Sequence, residues 1–212
     1  MSRTSRRSLL AGVLALAALP AAASDKLVDP KKVFRYLDEY QKLPAAERSR
    51  FRINYYLHVG PQPLTAPVWL VEGAKKTQLP LRVTDGRVER LPTSAQLETA
   101  KIQIGVDEGV KVGLTIGIET LAPTAEMDAR DVAAALAQAA AGLKKAAGIM
   151  AMALPKLSQV SFFGAASGEV ILADGKRSPL PLVKGAPTFK PSDYPTARTL
   201  KFPKAPTKGD MG

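Results

Sequence analysis

The chain has 212 residues, 46% of them apolar, with no cysteine, a single histidine and a formal net charge of +11. Without cysteine, a disulfide, a thiol nucleophile, a thiolate metal site, an iron–sulfur cluster and a lipid-modified cysteine are excluded, and one histidine rules out histidine relays and multi-histidine zinc sites. The basic excess favours anionic partners, but no block of five or six like charges occurs, so most of that charge reads as a solvated surface.

Residues 1–23 read as a signal peptide. Arg3, Arg6 and Arg7 form a positive start, Leu9 to Leu19 an apolar run, and Ala21, Ala22 and Ala23 a small-residue cleavage site. The apolar run is far short of the roughly 20 residues that a bilayer span needs. Ser5-Arg6-Arg7-Ser8-Leu9-Leu10 fits the twin-arginine export pattern. That route reads better than an ordinary Sec signal, because the Ala-rich run is only modestly apolar. The expectation is a bacterial periplasmic or secreted protein whose mature chain starts near Ser24. Loss of three arginines and no acid takes the net charge from +11 to +8.

Asp29-Pro30 starts a helix, with an N-cap residue followed by proline at the first helical position. Val33, Phe34, Leu37 and Tyr40 carry it to a stop before Pro44. Phe51 to Val59 is β-rich, with Phe51, Ile53, Tyr55 and Leu57 on one face. After a loop marked by Pro61, Pro63 and Pro67, Val68 to Val71 reads as a buried strand. Gln78 to Val83 reads as a strand between turns at Glu72-Gly73 and Asp85-Gly86. Ala100 to Ile104 and Lys111 to Leu121 complete a β-rich half.

Asp128 then caps a long Ala-rich helix that runs to Leu154 and ends at Pro155, about 40 Å if straight. Val132, Leu136, Leu143, Ala147, Met150 and Leu154 form its apolar stripe. Arg130, Gln138, Lys144 and Lys145 interrupt the run, so it is not a membrane span. Strands follow at Val160 to Phe163, Val170 to Leu172, Pro179 to Val183 and Ala197 to Phe202. Pro203 to Gly212 has no apolar pattern and reads as loose. The expected organisation is a signal peptide (1–23), a helix plus β-rich unit (24–123), a long helix plus β-rich unit (124–203) and a flexible tail (204–212).

The two units share landmarks in the same order. Residues 68–81 read VWLVEGAKKTQLPL and residues 170–182 read VILADGKRSPLPL. Each has an apolar strand, an acid-Gly turn, two basic residues and Leu-Pro-Leu. Leu43-Pro44 matches Leu154-Pro155, residues 53–56 match 160–163, and residues 99–102 match 196–199. The fold class expected is therefore α+β: two similar units of helix plus antiparallel β-meander, roughly 29–104 and 128–202, arising by internal duplication, with one long Ala-rich helix.

Candidate sites are few. Lys75, Lys76, Lys176 and Arg177 follow the acid-Gly turns at matching places and are the most specific hint of binding. Tyr55, Tyr56 and Trp69 form an aromatic group able to stack on a sugar or a lipid tail, although strand positions of this kind more often fill a core. His58 has no evident partner for general-base work. Asp107-Glu108 and Glu126 with Asp128 lack calcium-loop spacing, and the second group suits helix capping. No Gly-x-Ser-x-Gly, Gly-x-Gly-x-x-Gly or Walker pattern occurs.

The reading is of a non-enzymatic binding or envelope-associated protein for an anionic or amphiphilic ligand, expected to need no metal and no cofactor. Its expected partner is an anionic lipid or glycan of the cell envelope, with no nucleic-acid motif. A hydrolase acting on an envelope polymer would need two carboxylates about 5 to 9.5 Å apart in a cleft. A scaffold would need an exposed apolar stripe on the long helix.

Overall fold

The computed structural model describes residues 27–148 and 156–212. The export signal with Arg6, Arg7 and Ala23, and the far end of the Ala-rich helix with Met150 and Leu154, lie outside the described residues.

A short strand, β1 (Leu27–Val28), leads into helix α1 (Pro30–Val33). The Asp29 carboxylate caps it by accepting a hydrogen bond from Lys31 N at 2.8 Å. The single helix expected up to Pro44 is broken. Tyr36 adopts a left-handed φ of 65°, and α2 (Leu37–Lys42) begins after it. The break frees the Arg35 carbonyl to accept a hydrogen bond from the Tyr55 hydroxyl, a donor that its burial would otherwise leave unpaired.

Strand β2 (Phe51–Val59) alternates as its sequence requires, with Phe51, Ile53, Tyr55 and Leu57 buried on one face. It is followed by β3 (Gln62–Pro63), β4 (Val68–Glu72) and β5 (Lys75–Leu79). Helix α3 (Ser94–Thr99) is opened by a capping box in which Thr93 and Gln96 satisfy each other's backbone N–H groups. Strands β6 (Lys101–Ile104) and β7 (Val112–Thr120) end the first half.

The second half opens with β8 (Glu126–Asp128) and helix α4 (Ala129–Ala147). Asp128 caps α4, accepting from Arg130 N at 2.8 Å. Then come β9 (Val160–Phe163), β10 (Glu169–Leu172), β11 (Arg177–Pro179), β12 (Leu182–Val183), β13 (Ala186–Phe189), β14 (Ala197–Lys201) and β15 (Lys208–Met211).

The fold is α+β, and every strand pairing among the described residues is antiparallel. One four-stranded sheet has the order β1-β6-β4-β5 and another β11-β10-β14-β8. A seven-stranded sheet, β12-β13-β9-β15-β7-β2-β3, takes strands from both halves. Its apolar face, with Phe51, Tyr55, Val160 and Phe162, shares one hydrophobic cluster with the inward faces of the two smaller sheets. Helix α4 packs its apolar stripe here. Gly142 lets it approach so closely that a Cβ at that position would lie 2.8 Å from Phe51 Cζ.

Besides the broken first helix, three expectations need correction. The tail expected at 204–212 contains β15, which sits between β7 and β9. It was illegible because Met211 is the only large apolar residue of Lys208-Gly-Asp-Met; that side chain is buried in the core, and pairing with β7 and β9 holds the rest. The strand expected at Gln78 to Val83 starts earlier, at Lys75, and ends at Leu79 before Pro80, which has no N–H for the ladder. The segment expected as one strand from Pro179 to Val183 is divided between β11 and β12.

Candidate functional site

Strand alternation sorts the first four-stranded sheet into two faces. Val68 and Leu70 of β4 point into the core, so Trp69 and Val71 point out and are half-buried. Trp69 lies directly between Gln78 on β5 and Gln103 on β6. In the next row Val71 lies between Lys76 and Lys101. Leu27 of β1 stands beside Gln103 and is 52% exposed.

Gly105, just past β6, makes room for the indole. A Cβ there would lie 3.1 Å from both Trp69 Cζ3 and Pro67 Cγ. At the sheet edge, Arg90 donates to the Gln78 carbonyl at 2.7 Å. Lys76 and Lys101 are exposed, and neither forms an ion pair with any described residue. Lys75 alternates to the opposite face, across from Glu72. The result is a face with one half-buried aromatic ring, the exposed Gln78 amide and two ammonium groups that pair with no described carboxylate, while Gln103 beside the indole is itself buried.

The other basic pair sits elsewhere, in a different chemical state. On the second four-stranded sheet, Arg177 Nη1 meets Glu169 Oε1 at 3.0 Å and Lys201 Nζ meets Glu126 Oε2 at 3.7 Å. At the turn, Lys176 pairs with Asp174 at 3.0 Å. The Asp174 carboxyl is held below its usual range, first by a hydrogen bond from the Lys176 backbone N–H and then by the Lys176 side chain. Lys75 and Lys76 belong to β5, whereas Lys176 and Arg177 lie at and in β11, the edge of a separate sheet.

Tyr55 and Tyr56 are also divided, because neighbours in a strand face opposite ways. Tyr55 packs edge-on against Phe34 with ring centroids 5.2 Å apart, and burial pushes its phenol up. Tyr56 lies on the other face of the seven-stranded sheet and hydrogen-bonds to Glu119 Oε1. Burial, followed by this bond, raises the Tyr56 pKa. Arg52 Nε is 3.7 Å from Glu119 Oε2, and Lys208 Nζ is 3.8 Å from Glu119 Oε1.

Asp210 of β15 stands directly opposite Glu119 of β7, where the halves meet in the sheet. Burial raises the Asp210 pKa; Lys208 opposes that rise and Glu119 adds to it. A Cβ at Gly117 would be 3.2 Å from Glu119 Oε1 and 3.7 Å from Asp210 Oδ1, so these oxygens are within about 7 Å of each other. The two acids are thus close, as a carboxylate pair for hydrolysis must be. However, Glu119 is 2% exposed and bonded by Tyr56, which leaves a polymer no access to it.

Other candidates are occupied with structure. His58 contacts the Gly60 carbonyl at 2.9 Å and the Thr115 hydroxyl at 3.3 Å, with its ring over Gly113. Hydrogen bonds from the Arg130 side chain and backbone hold the Asp128 carboxyl down at about 2. The described stripe of α4 is buried at Val132, Ala135, Leu136 and Ala139, so the exposed apolar surface that a scaffold would use is missing there. Among the described residues no group of three or more His, Cys, Asp or Glu could hold a metal ion, and no helix is long and apolar enough to cross a membrane.

Sequence reasoning found Trp69 and Lys76 but missed Lys101, Gln78 and Gln103. Alternation around Trp69 was readable, but its cross-strand neighbours require the pairing. No protein-family model, curated protein or solved structure matches the chain, and the Trp69 face is what its geometry offers as a binding surface.

Proposed function

We propose that the chain is an exported binding protein of the bacterial envelope, without catalysis, and that the Trp69 face holds an acidic saccharide. The observation that carries this reading is the array itself: Trp69 beside the exposed Gln78, with Lys76 and Lys101, neither paired to a described carboxylate, in the next row. An indole face covers the apolar C–H surface of a sugar ring. The exposed Gln78 amide can both donate to and accept from hydroxyls, and exposed ammonium groups attract carboxylate or phosphate substituents. Export rests on the arginines, apolar run and alanines of residues 1–23.

The two halves are, on this reading, copies of one unit. What supports it is the order of segments. In the first small sheet a leading strand lies beside β6, then β4 and β5; in the second a leading strand lies beside β14, then β10 and β11. In each copy an aspartate at or just after the end of the leading strand caps the next helix, Asp128 or Asp29. In this scheme β7 and β15 correspond, and Glu119 and Asp210 face each other across the axis relating the copies.

Trp69 is the only tryptophan in the chain, so its emission reports on this face directly. Protein purified from the periplasm, with its start near Ser24 checked by mass, is titrated with an oligogalacturonate and with the neutral oligosaccharide of equal length. The acidic sugar should quench or shift the emission saturably, and the response should weaken by about tenfold as salt screens the lysines. An unchanged emission, or equal binding of the neutral sugar, rejects the saccharide reading. A stronger response to anionic vesicles than to the sugar moves the ligand to lipid.

A further inference from the structure

A second surface of the first half has a different chemistry. At the Val59–Val112 end of the β2–β7 pair the core gapes into a cleft of about 650 Å³, bounded on the other side by α1, β1 and β6. Its walls are apolar: Val33 and Ile104 face Leu57, Val112 and Leu114, with Val106 on the connection between β6 and β7. Leu57 is the buried floor, and the others are half-buried. Val110 at the rim is 40% exposed. The volume falls in the range of small-molecule sites, and concave apolar surface left open to water is a mark of such sites.

The rim carries charge of both signs. Lys32 of α1 and Asp107 and Glu108 of the β6–β7 connection all line the cleft. None of the three forms an ion pair with a described residue. The cavity at the start of α4 differs on this point. It is smaller, about 340 Å³, and its Arg50 and Asp131 are joined to each other at 2.8 Å.

We propose that the cleft binds a single-chain amphiphile with a zwitterionic head. The alkyl chain lies against Leu57, Ile104, Val112 and Leu114. The anionic part of the head is drawn to Lys32 and the cationic part to Asp107 and Glu108. A singly charged head leaves one sign on the rim without a partner and places like charge against it, which is why the mixed rim favours a zwitterion. The site is separate from the Trp69 face, since it uses the inward side of the first sheet.

The probe is dodecylphosphocholine below its micelle concentration, followed by methyl NMR of the mature protein. Dodecyl sulfate, dodecyltrimethylammonium and phosphocholine serve as comparisons. Saturable one-to-one binding is expected, with shifts confined to the Val33, Ile104, Val106, Val112 and Leu114 methyls. Phosphocholine alone should bind at least about tenfold more weakly, and so should either singly charged surfactant. Val110→Asp, at an exposed site, should weaken binding about fivefold, and Val106→Trp should block it by filling the cleft. Lys32→Ala should narrow the preference for the zwitterion over dodecyltrimethylammonium. Shifts spread over the surface, binding by Val106→Trp equal to wild type, or equal affinity for all three surfactants overturns the assignment. Trp69 emission with the oligogalacturonate, measured on Val110→Asp and Lys32→Ala, which add no second indole, separates failure of this site from failure of the saccharide reading.

Discussion

The outer faces of the two four-stranded sheets hold basic residues in different conditions. On the second sheet Arg177, Lys201 and, at the turn, Lys176 each have a carboxylate partner, at 3.0, 3.7 and 3.0 Å. On the first, Lys76 and Lys101 have none among the described residues, and they flank Val71 one row from Trp69. Exposed ion pairs of the first kind add little stability, but they remove the long-range field that would attract an anion. Total charge therefore says less about where a ligand sits than the local pairing of that charge.

The largest expected effect tests whether the two sheets are equivalent inside even though they differ outside. Ile102 in β6 and Leu200 in β14 are both fully buried. Ile102→Ala and Leu200→Ala should each cost about 3 kcal/mol, lowering the melting midpoint by about 6–12 °C. A loss confined to one variant would mean that the inward faces of the sheets are not equally packed.

The next effect concerns the outer faces. Lys76→Ala with Lys101→Ala should weaken oligogalacturonate binding about tenfold, or about 1.4 kcal/mol. Lys176→Ala with Arg177→Ala should change it less than about twofold, because those cations are already paired. Equal losses from the two double variants would erase the distinction between the sheets.

The smallest effect lies at the seam between the halves. Burial holds the Asp210 carboxyl above its ordinary value of 3.8, so the native state binds more protons than the unfolded chain in the interval above that pH. Stability therefore falls as pH rises through this interval, and the cost is fully present at neutral pH. Asp210→Asn should raise the melting midpoint at pH 7 by about 1–2 °C. The gain should vanish below pH 3.8, where the carboxyl is protonated in both states. A gain of the same size at pH 3 and pH 7 would show that charge is not its source.

Local pattern carried much of the fold. The alternation of Phe51, Ile53, Tyr55 and Leu57 marked the buried face of β2, and Asp29 and Asp128 marked two helix starts. It failed where a local preference is overridden from a distance, as at Tyr36, where the helix breaks and the Arg35 carbonyl meets Tyr55. The site was half legible. Lys76 and Trp69 were visible as residue types, but Lys101 joins them only because β6 pairs with β4. Tyr55 and Tyr56 looked like one aromatic group, yet strand alternation alone separates them. Glu119 gave no signal beyond a lone acid in an apolar strand, and its partner Asp210 comes from a segment that reads as loop.

Strand β15 has a consequence for the order of assembly. It lies between β7 and β9, so the shared sheet has no connection between those strands until Lys208–Met211 is in place. β7 precedes it by about ninety positions, and such a distant closure is slow, because the entropy of the intervening chain is lost before the new hydrogen bonds form. During that wait β7 and β9 are open strand edges, able to pair with another chain. The step most exposed to aggregation is thus the insertion of a four-residue strand whose only large apolar anchor is Met211.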